Sequence, residues 1–319
     1  MSRRWLILTG LAGLAILIPS LAAPYVTGNE YGPVDISATV AQAIAGSSFL
    51  IVGWVAAWRR PNSRVGLLMM AAGLAYFGTE VGWAPSALLW SVGALLGNLF
   101  AAVLAHVFVS FPSGRLRAHR DRLVVALAYG WWLAAQLAGM LTWHPVFRPP
   151  PPPWVHNVFG VLGNQHLNDQ IGRVTAVGTV AVAALVVSTV ISHWRHATPP
   201  ARRVLAPVVW TSVPTGVWLA LDLLSQNGLL RGPGWLTSVE YLFEAALPFG
   251  FLVGLLRTRL GRGAVGDLVV ELGRRAAPAE HLDAALARVL GDPTIRVLYR
   301  VPSASGGLKT GCQVSMPAS

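Results

Sequence analysis

Eight stretches of the chain run apolar for about the 20 residues that a helix needs to cross a hydrocarbon core about 30 Å thick. They cover residues 5–23, 40–58, 65–81, 87–109, 123–143, 174–194, 204–225 and 239–256. Between them lie short polar segments whose arginines alternate in density. With the amino terminus inside, the inner segments 1–4, 59–64, 111–122, 195–203 and 257–262 hold 15 arginines. The outer segments hold only Arg148, Arg173 and Arg231. That asymmetry follows the positive-inside rule, and an odd number of spans would scramble it. Trp5, Trp58, Trp83, Trp143, Trp194 and Trp235 fall near expected span ends, where an indole buries its ring and keeps its N–H hydrated.

Composition supports a lipid solvent. Of the 319 residues 54% are hydrophobic and 12% charged, against roughly 25% charged in soluble domains, and the mean hydropathy is +0.55. A net charge of +11 would suit a nucleic-acid partner only if the excess were free of the membrane. Residues 1–262 carry 18 Lys/Arg and 8 Asp/Glu, whereas residues 263–319 carry 6 and 5. The excess borders the bilayer, so no nucleic acid is expected. The single cysteine, Cys312, excludes a disulfide framework or a cysteine-based zinc site within one chain.

The first span has two readings. A basic start, an apolar stretch and small residues near Ser20 and Ala22 suit a signal peptide, and cleavage would leave seven spans. An uncleaved anchor is the favoured reading, with both termini cytoplasmic in the cell membrane. The longest outer loop, 144–173, contains five successive prolines, Pro149 to Pro153, a stiff polyproline II connector. Pro207, Pro214 and Pro248 should kink the last two spans, and Gly93/Gly97 and Gly250/Gly254 have the GxxxG spacing of close helix contacts.

Beyond residue 260 the pattern changes. Val265, Leu268, Val269 and Leu272 recur at helical spacing, opposite Asp267, Glu271 and Arg275. A second helix is expected over 280–290, then a strand-like alternation over 294–301. The expected organisation is a transmembrane bundle over 1–256, a cytoplasmic helix over 257–275 and a short α/β segment over 276–319.

Catalytic signatures are absent: no HExxH, no GxSxG, no P-loop and no paired Asp-rich motif. His193 and His196 sit three apart at an inner edge beside Arg195 and are expected to lack a nearby carboxylate, and His144, His156, His166 and Asp169 share the outer loop. Neither group reads as a metal site, and no cofactor is implied. Four acids within or beside the spans are more informative: Glu80, Asp222, Glu240 and Glu244, all placed in the outer half of the bilayer. An isolated carboxylate there costs several kcal/mol, so each should be neutral, paired or facing a wet cavity. Asp222 and Glu244, with Glu240 one turn from Glu244, are the candidates for an outward-facing polar pocket that binds a cation or takes up a proton. The competing reading makes Glu80 and Glu240 interfacial and Asp222 a structural tie between helices.

Several segments resemble the membrane-spanning sensor region of actinobacterial two-component histidine kinases. Phe111-Pro112-Ser113-Gly114-Arg115-Leu116 with Arg120-Asp121-Arg122 resembles one inner loop of that group, and Arg59-Arg60-Pro61-Asn62-Ser63-Arg64-Val65-Gly66 another. Gly254-Leu255-Leu256-Arg257 through Ala264-Val265-Gly266-Asp267-Leu268-Val269-Val270-Glu271-Leu272 is similar to the junction from last span to cytoplasm. Leu282 to Arg288 and Leu290-Gly291-Asp292-Pro293 match the segment that follows.

The resemblance implies an all-α polytopic bundle of about eight spans, with a tail resembling the start of a GAF-like domain. It implies a sensor or input module for signal transduction in a two-component system, truncated before the phosphoacceptor helix and the ATP-binding lid. Such a chain would not be an active kinase alone. It would act beside a separate kinase core and a response regulator, as a homodimer in the lipid bilayer. Arg257, Val265, Leu268 and Leu272 would then belong to the signal-transfer helix. Their stripe either pairs across a two-fold axis or packs on the second tail helix. The alternative function is a small transporter or channel-like protein, motivated by the buried acids and opposed by the lack of an inverted repeat.

Overall fold

In the computed structural model, residues 36–116, 118–143, 153–231, 239 and 242–254 are described. Among these the chain is all-helical, with α1 (Ile36–Arg59), α2 (Val65–Tyr76), α3 (Ala87–Leu96), α4 (Leu99–Ser110), α5 (His119–Thr142), α6 (Gln165–Arg195), α7 (Pro199–Gln226) and α8 (Leu242–Gly254). A 3₁₀ segment, Phe77–Trp83, extends α2. Counting α2 with that extension, and α3 with α4, six helices are long and apolar enough to cross a membrane, and α8 is a shorter apolar helix. The expected first span, Glu240, Arg257, Val265, Leu268, Leu272 and the α/β tail lie outside the described residues.

The outer surface explains why water cannot be the solvent. Ile44, Ile51, Leu123, Leu127, Val174, Val217 and Leu242 are exposed, as is Trp210 at 77%. Such a belt is stable where lipid chains cover it. Inside, Phe49 of α1, Val65 and Met69 of α2, Val107 of α4, Val208 of α7 and Leu247 and Phe251 of α8 are fully buried in one cluster. A second cluster joins α4, α5 and α6 through Val109, Val124, Val125 and Val186.

Glycine sets a close helix approach between α1 and α2. A Cβ on Gly53 would meet the Met70 amide and the Gly66 carbonyl, and one on Gly66 would strike the Ala57 backbone. Seven residues on, Gly46 receives the Tyr76 and Phe77 rings, while Gly73 receives Leu50. Without lipid-excluded hydrophobic gain, such backbone proximity is what holds membrane helices together. Gly250 and Gly254 do the same for α8, lying against Thr211 and against the Val204 carbonyl of α7.

Two departures from the hydropathy pattern matter. The span expected over 87–109 is present as Ala87–Ser110 but is broken within, because Gly97 ends α3 and Asn98 adopts a left-handed φ of 59°, a conformation asparagine tolerates. The freed carbonyls are met from α5. Gln136 Nε2 donates to Ala94 and Leu95 O at 3.0 Å each, and Trp132 Nε1 donates to Gly97 O at 2.9 Å. Gly93 therefore packs on the Gly82 backbone while Gly97 breaks the helix, so the pair does not serve as one GxxxG face.

The second departure concerns α6, which begins at Gln165 rather than near residue 174. The Asn164 side chain caps it by accepting from the Leu167 amide at 3.1 Å. Its 31 residues span about 46 Å, longer than a hydrocarbon core of about 30 Å, and the outer loop is correspondingly shorter. Pro207 and Pro214 sit within an α7 that remains one helix.

At the arginine-rich end two loops are clasped together. The Arg64 amide donates to Ser113 O at 3.1 Å, and Ser63 Oγ donates to Pro112 O at 3.1 Å. Gly114, at φ +71°, lies against the Val65 amide with no room for a Cβ. Phe251 of α8 packs beside this clasp, 5.3 Å from the Phe111 ring.

Two stability predictions follow from these contacts. Gly66→Val should force α1 and α2 apart and cost about 1–3 kcal/mol, measured as loss of thermal stability in detergent. Gln136→Leu should leave the part-buried Leu95 O without its side-chain donor at a cost of about 1–3 kcal/mol, read in the same assay, while Ala94 O keeps the Gly97 amide at 3.1 Å.

Candidate functional site

A cavity of about 560 Å³ lies within the bundle, with walls from α1, α2, α4, α5, α6, α7 and α8. It follows from the helix break and from the polar residues placed on facing helices. Asn98 and Gln136 come from the break and its cap, Thr175 and Thr179 from α6, and Ser212 and Thr215 from α7. Trp131 stands on the α5 wall because Gly178 of α6 leaves space for its ring, and its Nε1 donates to Thr179 Oγ1 at 3.0 Å.

Two of the four acids singled out in the sequence line this cavity. Asp222 is 3% exposed and Glu244 is 8% exposed. Tyr76 OH donates to Glu244 Oε2 at 2.7 Å, tying α8 to α2 across 168 positions of sequence. The Tyr76 ring is held edge-on to Phe100 at 4.8 Å, so the hydroxyl is aimed by packing. Asp222 accepts a hydrogen bond from the Gln226 side chain one turn later. Among the described residues, the lining contains no Lys, Arg or His.

Glu80 is placed differently. It lies in the 3₁₀ segment, half-buried, and accepts from Gln42 Nε2 at 3.4 Å; Gln42 lines the cavity but Glu80 does not. Glu240 falls outside the described residues. The cavity reaches the arginine-poor end at Asn168, Gln226 and Asn227.

The histidines distribute otherwise than their spacing suggests. His193 does have a carboxylate beside it, because α5 and α6 are antiparallel neighbours. His193 Nε2 lies 3.1 Å from Asp121 Oδ1, a link across the arginine-rich end between residues 72 positions apart. His166 and Asp169 are on α6 rather than in a loop, where Gln165 Nε2 donates to Asp169 Oδ1 at 3.1 Å. His156 Nδ1 is 2.8 Å from Pro153 O. No group of three metal-ligating side chains occurs among the described residues.

Sequence reasoning missed Tyr76, Trp131, Trp132 and Gln136. A glutamine within an otherwise apolar span is the signal that would have found the break, since an amide in hydrocarbon needs partners.

The fold and the lipid-facing belt define the chain as a helical, multi-pass membrane protein. No family model matches it, and no curated protein and no solved structure matches it.

The Tyr76–Glu244 contact predicts a measurable coupling. Tyr76→Phe should cost about 1–3 kcal/mol by removing a donor from a buried carboxyl group. The double variant with Glu244→Gln should depart from additivity by about 0.5–3 kcal/mol, resolved by thermal unfolding of all four proteins in one detergent.

Proposed function

We propose that this chain is the membrane-embedded input module of a sensor histidine kinase-like protein. The observation that carries the reading is the cavity-lining Glu244, hydrogen-bonded to α2 and borne on the helix whose sequence leads into the 254–272 junction. A change at Glu244, by ligand or proton, alters the balance of contacts that holds α8 against α2 and α7. Packed helices respond to such bias by discrete shifts. A helix continuing through Arg257, Val265, Leu268 and Leu272 would pass that shift to the cytoplasmic side.

In this reading the bundle has eight spans, counting residues 5–23 and the helix containing α8. Arginine placement puts both termini in the cytoplasm. Two copies associate in the bilayer, and phosphoryl transfer belongs to a kinase core and a response regulator in other polypeptide segments. The tail over 276–319 would be the beginning of a GAF-like domain. Asp222, Glu240, Glu244 and Glu80 are the sensing candidates, and only the first and third stand on the cavity among the described residues.

A transporter or channel is the second reading, favoured by one specific observation. The break at Gly97–Asn98 abuts the cavity, and interrupted helices beside buried polar sites are the way many transporters hold their substrates.

Cys312, the only cysteine, provides a reporter that separates the two. The full chain in nanodiscs, spin-labelled at Cys312, should change its spectrum on Glu244→Gln, while proteoliposomes of the same protein pass rubidium or an alkylammonium tracer no faster than empty ones. An unchanged label together with Glu244-dependent tracer flux would instead establish transport.

A further inference from the structure

The cavity has a composition that selects a guest by charge and by shape. Its two buried carboxyl groups and the absence of any Lys, Arg or His in its described lining disfavour an anion. At about 560 Å³ it falls in the range of sites for small organic molecules, roughly 300–1,000 Å³. A bare metal ion is a poor match, because no three ligating side chains converge among the described residues.

The aromatic wall narrows the choice further. Trp131 and Trp132 both line the cavity, and both indole N–H groups are already engaged, with Thr179 Oγ1 and Gly97 O. What these rings can offer a guest is carbon surface and the negative face of the indole, which attracts an alkylammonium group when water is excluded. Tyr76 adds a third ring, its hydroxyl committed to Glu244.

We propose that the cavity binds a small organic cation, its ammonium group set against Glu244 and Asp222 and its apolar body against Trp131 and Trp132. The assignment rests on the sensing reading for its biological use but not for its chemistry. The break at Gly97–Asn98 stands beside the space such a guest would fill, with Asn98 in its wall. Asn168, Gln226 and Asn227, at the arginine-poor end, give a polar approach for a charged guest.

Isothermal titration of the full chain in nanodiscs tests this with three probes: phenethylammonium, tetraethylammonium and the neutral 2-phenylethanol. Saturable binding of phenethylammonium is expected, at least tenfold tighter than that of 2-phenylethanol, with tetraethylammonium also binding. Glu244→Gln and Asp222→Asn should each weaken ammonium binding at least tenfold. Asp121→Asn, which removes a carboxylate at the opposite end of the bundle, should leave it within twofold.

Equal affinity for the amine and the alcohol would overturn the proposal, and that comparison needs no variant to fold. So would unchanged ammonium affinity in an Asp222→Asn, Glu244→Gln double variant with wild-type thermal stability. Saturable ammonium binding that leaves the Cys312 label unchanged would keep the site and remove the sensing role. A label that responds to Glu244→Gln in a protein that binds no ammonium would do the reverse.

Discussion

In hydrocarbon, a backbone carbonyl released from its helix finds no water to accept from. The break at Gly97–Asn98 therefore dictates much of what surrounds it. The Leu95 and Gly97 carbonyls at the end of α3 take their donors from Gln136 and Trp132 of α5, and Ala94 O adds Gln136 to the Gly97 amide it already accepts from. Those two side chains fix how α5 is rotated about its axis. Once α5 is so rotated, Trp131 is turned toward Thr179 of α6, and the space beside the break is left lined by polar groups. The cavity is thus a consequence of satisfying a helix terminus where solvent cannot.

The same constraint governs the acids. A carboxyl group in this environment must be met by donors, and Tyr76 meets Glu244 because Phe100 holds its ring upright. The apolar cluster of α1, α2, α4, α7 and α8 thereby positions a polar contact. Packing and polarity are coupled here: loosening Phe49, which lies 5.0 Å from Phe100 in an edge-on contact, would also loosen the aim of the Tyr76 hydroxyl.

The spans were legible in the sequence because lipid imposes a length and a hydropathy on every crossing segment, and the six long helices lie where apolar runs occur. Asp222 and Glu244 were legible for the converse reason, since a carboxyl group inside such a run demands an explanation. Their partners were not, because Tyr76 looks like any aromatic at a helix end until α8 is placed beside α2. The start of α6 was hidden because residues 165–173 are mostly polar and carry no hydropathy signal. The α1–α2 contact was hidden because its glycines recur at seven rather than four residues, Gly46 with Gly53 and Gly66 with Gly73. The His193–Asp121 pair depends on two helices being antiparallel neighbours, which no local pattern encodes.

The clasp between the 59–65 and 110–114 segments has a mechanical meaning. Backbone and hydroxyl bonds join the α1–α2 hairpin to the α4–α5 turn, so these elements form one frame at the arginine-rich end. Helix α8 rests on that frame through Phe251 and Gly254 against Phe111, with Glu244 about 10–15 Å up the helix at 1.5 Å per residue. The clasp is then a fulcrum and α8 a lever. A small sideways displacement at Glu244 therefore swings α8 about its contacts with Phe111.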